Sequence, residues 1–374
     1  MENPFKFGET VKDGMFCNRV KEVKKLQSAF RDGQNIILIS PRRWGKSSLV
    51  KQAIHKYNGK HISVQIDLFG ITSKEEFLEI YVRLILQATS SRFKDITRNV
   101  GGWIKNITPY ISFTVVEGSD INIGVKLPRD AKHIDDILSL PQQIAVDKGI
   151  PVIICVDEFQ KINDWKDGKS FLEKLRAVWQ HHSNVCYCLY GSKRHVMTEM
   201  FNKSSLPFFK FGEVIFLTKI DKSEWMKFIL EAFNNSGKSI SEPLIETLID
   251  AVENHPYYIQ WVCRIIWYNT TKSVTKEIVK VSVEELLVSN SPLFQNQTYS
   301  LTSKQTNYLK ALVNGENQFS SQRVLQEYNL GSQGNIKRIE TALQQAEILL
   351  LGEGAPEFSE PYFKPLFQRK YFLN

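Results

Sequence analysis

Short, almost unbroken apolar runs alternate with stretches of helical periodicity through residues 1–220. Residues 35–39 (Asn-Ile-Ile-Leu-Ile) follow Asp32-Gly33 and are rich in β-branched side chains, which predicts a buried strand. A helix is expected over 47–57, ending near Asn58-Gly59. Residues 61–68 read as a second strand and 73–90 as a helix; 151–156, nearly all apolar, read as a third strand. A helix over 171–181 and strands at 185–190 and 214–217 complete the series. Apolar strands alternating with helices predict an α/β fold, a parallel sheet covered by helices on both faces.

Residues 111–115 and 121–125 break this rhythm by alternating in polarity around Glu117-Gly118-Ser119-Asp120. They predict a β-hairpin inserted at about 108–128, read as a decorative edge of the sheet. From about 221 the periodicity becomes helical, with helices expected over 223–233, 242–253 and 256–271, the last opening on Pro256. A further block follows Thr302, with helices over 303–313, 322–328 and 332–347 and then a short strand and turn over 348–354. Helices followed by a small β-wing predict a winged helix-turn-helix. The expected division is a core over 1–220, a helical lid over 221–300 and a winged-helix domain over 301–374. The aromatics between 357 and 372 read as the packing of a C-terminal helix.

Charge changes this picture less than its total suggests. The net charge is +8, and residues 1–100 alone hold 18 Lys+Arg against 10 Asp+Glu; the rest of the chain balances at 30 and 30. The excess therefore lies beside the strongest motif, where a polyphosphate pocket explains it as well as DNA does. The 374 residues are 42% hydrophobic and 24% charged, which excludes a disordered or fibrous chain. No apolar run approaches the roughly 20 residues that span a bilayer, and the opening Met1-Glu2-Asn3-Pro4 does not read as a secretory signal. Cysteines at 17, 155, 186, 188 and 263 lack the pattern of a disulfide framework or a metal site, and a reducing, cytoplasmic setting is expected.

The chemistry begins where strand 35–39 meets Ser40-Pro41-Arg42-Arg43-Trp44-Gly45-Lys46-Ser47-Ser48. A strand, a Gly-Lys-Ser and a helix in that order form a phosphate loop, with backbone N–H groups facing a polyphosphate at the positive end of a helix. The whole run Ser40, Pro41, Arg42, Arg43, Trp44, Gly45, Lys46, Ser47 and Ser48 is expected to line the nucleotide, with Lys46 reaching its β- and γ-phosphates. Ser40 stands where the first loop glycine is usual and is expected to cost turn freedom. The third strand ends in Asp157-Glu158, at the edge of the sheet where ligands bind. Ser47 and Asp157 are therefore candidate Mg²⁺ ligands, and Glu158 is the candidate that polarises a water for attack on the γ-phosphate. Ser192, after Gly191 at the end of the fourth strand, is either a sensor of the γ-phosphate and water or a plain turn. Thr218-Lys219-Ile220-Asp221 fits a guanine-reading pattern, but Asp157-Glu158-Phe159-Gln160 lacks a GTPase's glycine, so adenine is favoured.

Together these residues resemble the archaeal-type ATPases, a branch of the STAND signalling NTPases among the AAA+-like P-loop ATPases. The likeness rests on Phe16-Cys17-Asn18-Arg19 with Glu22, on Pro41-Arg42-Arg43 with Gly45-Lys46-Ser47-Ser48-Leu49, on Asp157-Glu158-Phe159-Gln160 as Walker B, and on Gly191-Ser192. It extends to Asn254-His255-Pro256-Tyr257-Tyr258 and to the winged-helix block at 301–305 and 328–332. The resemblance implies a P-loop NTPase fold with lid and winged helix, ATP/ADP and Mg²⁺ as ligands, and His255 and Pro256 contacting the nucleotide from the lid. It implies an ATP-hydrolysing switch whose nucleotide state controls partner or DNA recognition; a slow or inactive nucleotide-clamped scaffold and a DNA-binding regulator are the alternatives. The segment 204–210 lacks the family's arginine, and Lys210 is a poor substitute for a bidentate group, so turnover is expected to be slow or partner-dependent. Gln333, Asn335, Lys337 and Arg338 suit contact with DNA, yet residues 303–374 hold only 8 basic against 7 acidic side chains, which leaves DNA and protein equally open.

Overall fold

The computed structural model describes residues 2–8, 16–89, 111–115, 121–125, 131–352 and 354–372. The chain divides into two compact units, Arg19–Thr218 and a second built from Met1–Asn18 with Lys219–Asn374.

The first unit is the expected α/β sheet. Its strands are β1 (Ile36–Ile39), β2 (Ile62–Asp67), β5 (Val152–Asp157), β6 (Val185–Gly191) and β7 (Glu213–Phe216), in the order β2-β5-β6-β1-β7 and parallel at every pairing described. All four residues of β1 and all seven of β6 are buried, as a strand covered on both faces requires. The two edge strands, β2 and β7, keep partly or fully exposed positions. The hairpin strands β3 (Ile111–Val115) and β4 (Ile121–Val125) pair antiparallel as the alternation predicts. The turn at 116–120 and the flanks of that insertion at 108–110 and 126–128 lie outside the described residues.

Helices Lys46–His55, Lys74–Thr89 and Gly168–Trp179 sit where the periodicity places them. Helices Val20–Asp32, Ala131–Lys148 and Arg194–Asn202 add to the pattern. Ala131–Lys148 carries Pro141 in its interior, a residue that argues against a helix when read locally. Here tertiary burial of Ile137, Leu138, Leu140 and Ile144 outweighs the proline.

Among the aromatics of this core, Trp179 stacks on Tyr187 at 4.2 Å, and the Tyr187 hydroxyl meets His182 Nδ1 at 2.8 Å. His182 Nε2 is buried with no hydrogen-bond partner among the described residues. Burial, with His181 adding to it, holds the His182 imidazole down at about 4. The unfolded chain therefore takes up this proton first, and the stability contributed by neutral His182 is lost as pH falls through the window between its unfolded value and about 4. Chemical unfolding of the parent is expected to lose about 2 kcal/mol more between pH ~7 and pH ~5 than a His182→Gln variant does. Parallel curves for the two proteins would remove this residue from the acid response.

In the second unit, helices Lys222–Asn235, Glu242–Ala251, Pro256–Asn269 and Lys276–Tyr299 precede a block of Ser303–Val313, Gln322–Glu327 and Gln333–Gln345. Thr302 and Gln305 close a reciprocal capping box on Ser303–Val313. Strands β8 (Leu349–Leu350) and β9 (Glu357–Phe358) pair antiparallel, and helix Phe363–Phe372 ends the described chain. Helix Lys276–Tyr299 has no counterpart in the apolar pattern. Its buried face includes Ser282, Asn290 and Thr298, which break the 3.6-residue signal. Asn290 Nδ2 donates to Leu286 O (2.7 Å) and Thr298 Oγ1 to Phe294 O (3.0 Å), so the helix's own carbonyls satisfy these polar groups.

Candidate functional site

The site is built at the C-terminal edge of β1, β5 and β6. β1 delivers Ser40, whose N–H lies 3.5 Å from Gly191 O at the end of β6. The loop then curves through Arg43 and Gly45, both left-handed at φ 62° and 86°. Ser40 is not among the positive-φ residues, so the serine there carries none of the turn cost expected from the sequence. At Gly45 an added Cβ meets nothing within 4 Å; the glycine answers to its φ, not to crowding. Gly45 caps the helix Lys46–His55, whose first N–H groups carry the positive end of the helix dipole.

Lys46 is buried, 5% exposed, and its Nζ donates to the carbonyls of Ser40 (3.3 Å) and Pro41 (3.1 Å) on the inside of the loop. Burial lowers its ammonium pKa; Glu158 and Asp157 oppose that shift and Arg42 adds to it. Arg42 and Arg43 are exposed, whereas Pro41, Trp44 and Ser48 are buried. Ser47 Oγ donates to Asp157 Oδ2 at 2.6 Å. Asp157 also accepts from the Glu158 N–H at 2.8 Å. Burial pushes the Asp157 carboxyl up to about 6; the Ser47 bond and the Lys46 charge pull it down, and Glu158 pushes it further up.

Glu158 is left-handed at φ 52° and caps a 3₁₀ turn, Phe159–Asp164. A non-glycine residue in that region is a cost borne at functional sites. Its Oε2 accepts from Ser192 Oγ at 2.8 Å and from Gln160 Nε2. The structure thus brings together Ser40, Lys46, Ser47, Asp157, Glu158 and Ser192. Ser192, directly after β6, is hydrogen-bonded to Glu158. His255 and Pro256 belong to the second unit, where His255 is buried at the start of helix Pro256–Asn269 with its ring 5.0 Å from that of Tyr258.

Two contributors carry no role in the sequence reading. Arg19, 4% exposed, donates to Trp44 O (3.2 Å), Thr218 O (3.0 Å) and Glu22 Oε1 (3.1 Å), so it braces the phosphate loop from behind. Its signal was the Arg19-to-Glu22 spacing, which fits an ion pair on one helical turn. Gln160 is the other; it closes the Asp157-Glu158-Phe159-Gln160 motif, which names it without giving it a role of its own. Lys210, in the segment without the arginine, lies with Nζ 5.3 Å from the Phe209 ring. Among the described residues no group of three or more His, Cys, Asp or Glu is arranged to hold a metal, and no helix is long and apolar enough to cross a membrane.

The donor set suits a magnesium-bound polyphosphate. A hydroxyl and a carboxylate converge at Ser47 and Asp157, and Asp157 is a buried carboxylate whose charge a divalent cation would stabilise.

Comparison with known proteins gives the family and the fold. The profile of an ATPase domain predominantly from Archaea matches residues 16–262. A search of curated proteins gave no match. Among solved structures, the chain is similar to the Walker-type ATPase PABY2304 of Pyrococcus abyssi, with a TM-score of 0.71 and 14% identity over 98% of this chain and 99% of that one. It is also similar to the ORC2 protein of Aeropyrum pernix in its ADPNP–ADP complexes, with a TM-score of 0.57 and 12% identity over 99% and 100% of the two chains. At such identities the likeness is one of fold.

Proposed function

This chain belongs to the family of ATPase domains found predominantly in Archaea, and from that premise we propose that its ATPase drives a switch. In this reading ATP is cleaved at the crest of the first unit's sheet, and the nucleotide state governs what the C-terminal block recognises. The observation that carries the chemistry is the set of contacts joining Ser47, Asp157, Glu158 and Ser192 across two strand ends and a helix start.

The loop N–H groups and Lys46 hold the β- and γ-phosphates, assisted by the exposed Arg42 and Arg43. Ser47 and Asp157 would hold Mg²⁺, which when bound neutralises charge on the β- and γ-phosphate oxygens. Glu158 takes a proton from water as the water oxygen bonds to the γ-phosphorus. The bond from that phosphorus to the β–γ bridging oxygen breaks, and ADP leaves with its electron pair. Ser192, held on Glu158, is placed to orient the water or the γ-phosphate. His255 and Pro256 are proposed to contact the nucleotide, on the strength of the motif that carries them.

The proposed organisation is a core (1–220), a lid (221–300) and a winged helix (301–374). The order of three helices followed by the antiparallel pair β8–β9 supports the last of these. We favour a protein as its partner. Gln333 Nε2 donates to Ser320 O (3.1 Å) and Asn335 Nδ2 to Leu330 O (3.5 Å), so two amides suited to base edges are engaged within the fold. The exposed basic side chains of that helix are Lys337 and Arg338, few for a counterion-releasing surface.

Hydrogen exchange on a hydrolysis-blocked full chain, loaded with ATP or with ADP, tests the switch. Protection within 222–358 is expected to differ between the two states; superimposable exchange there would defeat the proposal. Mixed-sequence duplex DNA is expected not to bind at low salt, where phosphate contacts are strongest. Tight, salt-sensitive binding would make DNA the partner instead.

A further inference from the structure

We infer that Gln160 is a positioning residue for Glu158, and that Gly191 is glycine in order to seat it. The inference rests on the reading of Glu158 as the group that activates water. Gln160 is 2% exposed, in the first turn after the left-handed Glu158. Its Nε2 donates to Glu158 Oε2, the same oxygen that accepts from Ser192. Its Oε1 is buried without a hydrogen-bond partner among the described residues. A Cβ on Gly191 would collide with that Oε1 and lie 2.9 Å from Met197 Sδ. Gly191 in turn pairs with Ile39 of β1, the residue that leads into the phosphate loop.

A buried amide with an unmet carbonyl costs about 1–3 kcal/mol, and an apolar side chain of the same volume removes that cost. Stability alone therefore does not favour glutamine here. The amide's return is its single donated bond. With two donors on Oε2, Glu158 turns Oε1 outward as the oxygen that accepts the proton of water. When the Ser192 hydroxyl turns to the γ-phosphate, Gln160 remains on Oε2 and keeps the carboxylate aimed.

Gln160→Met keeps length and volume but has no donor. Measured beside the parent and Glu158→Gln, it is expected to lower kcat about tenfold. Its KM and its calorimetric Kd for ATP should stay within about twofold of the parent's, and its Tm should be equal or higher. Gly191→Ala, which pushes the amide off its seat, is expected to lower kcat in the same way. A parental or raised kcat in Gln160→Met, or a loss matched by a rise in KM, overturns the inference. If Glu158→Gln itself turns over like the parent, the reading of Glu158 falls; if Glu158→Gln is inactive and Gln160→Met is fully active, only the positioning role falls.

Discussion

Replacing Lys46 with alanine is expected to lower kcat/KM for ATP by about 10³-fold and to weaken ATP binding by about 10²-fold, while the folded protein persists. The effect is large because of where the ammonium sits. It is 5% exposed, and its Nζ donates to the Ser40 and Pro41 carbonyls on the inner side of the loop. Little water remains to screen its attraction for a phosphate oxygen, so each charge-assisted bond there is worth more than on an open surface. Burial disfavours the lone ammonium, and Glu158 and Asp157 oppose that shift. Alanine removes a costly buried cation along with its attraction to the carboxylates, so stability should change far less than affinity. Calorimetric titration with ATP and magnesium, paired with phosphate-release kinetics and a melting curve, checks each part. Parental affinity in a well-folded Lys46→Ala protein would remove the loop from the nucleotide site.

The sheet was legible because its signal is local. Strands β1, β5 and β6 are buried on both faces and appear as continuous apolar runs, and the five strand positions fall within a residue or so of the expected spans. Most of the site's members were equally legible, since Gly45-Lys46-Ser47 and Asp157-Glu158 occupy fixed places relative to their strands. What escaped was tertiary. Helix Lys276–Tyr299 buries Ser282, Asn290 and Thr298 on the face it turns inward, and such a face has no clean hydrophobic period to detect. The position of the left-handed residues also escaped: the loop places them at Arg43 and Gly45, not at Ser40. Arg19 acts through Trp44, 25 positions away, and the space that seats the Gln160 amide is left by Gly191 on another strand. Spacing along one element cannot express either contact.

Glu158→Gln is expected to separate binding from cleavage. The variant should bind ATP within about twofold of the parent and cleave it about 10³-fold more slowly in a single turnover, within the range for loss of a general base. The hydrogen bonds around the residue explain why so small a change has so large an effect. Ser192 Oγ and Gln160 Nε2 both donate to one oxygen of Glu158. A glutamine amide there can accept both bonds only through its carbonyl oxygen, which turns its NH₂ toward the water. That group donates and cannot take a proton. Fold and affinity survive because the side-chain shape and the two anchoring bonds survive, and because the phosphate grip lies with the loop and Lys46. The ATP-bound state therefore accumulates. Rapid-quench measurement of bound ATP and ADP after one turnover reads the result directly. Cleavage at the parental rate would move the base to another residue; Asp67, the register partner of Asp157 on β2, is the carboxylate to test next.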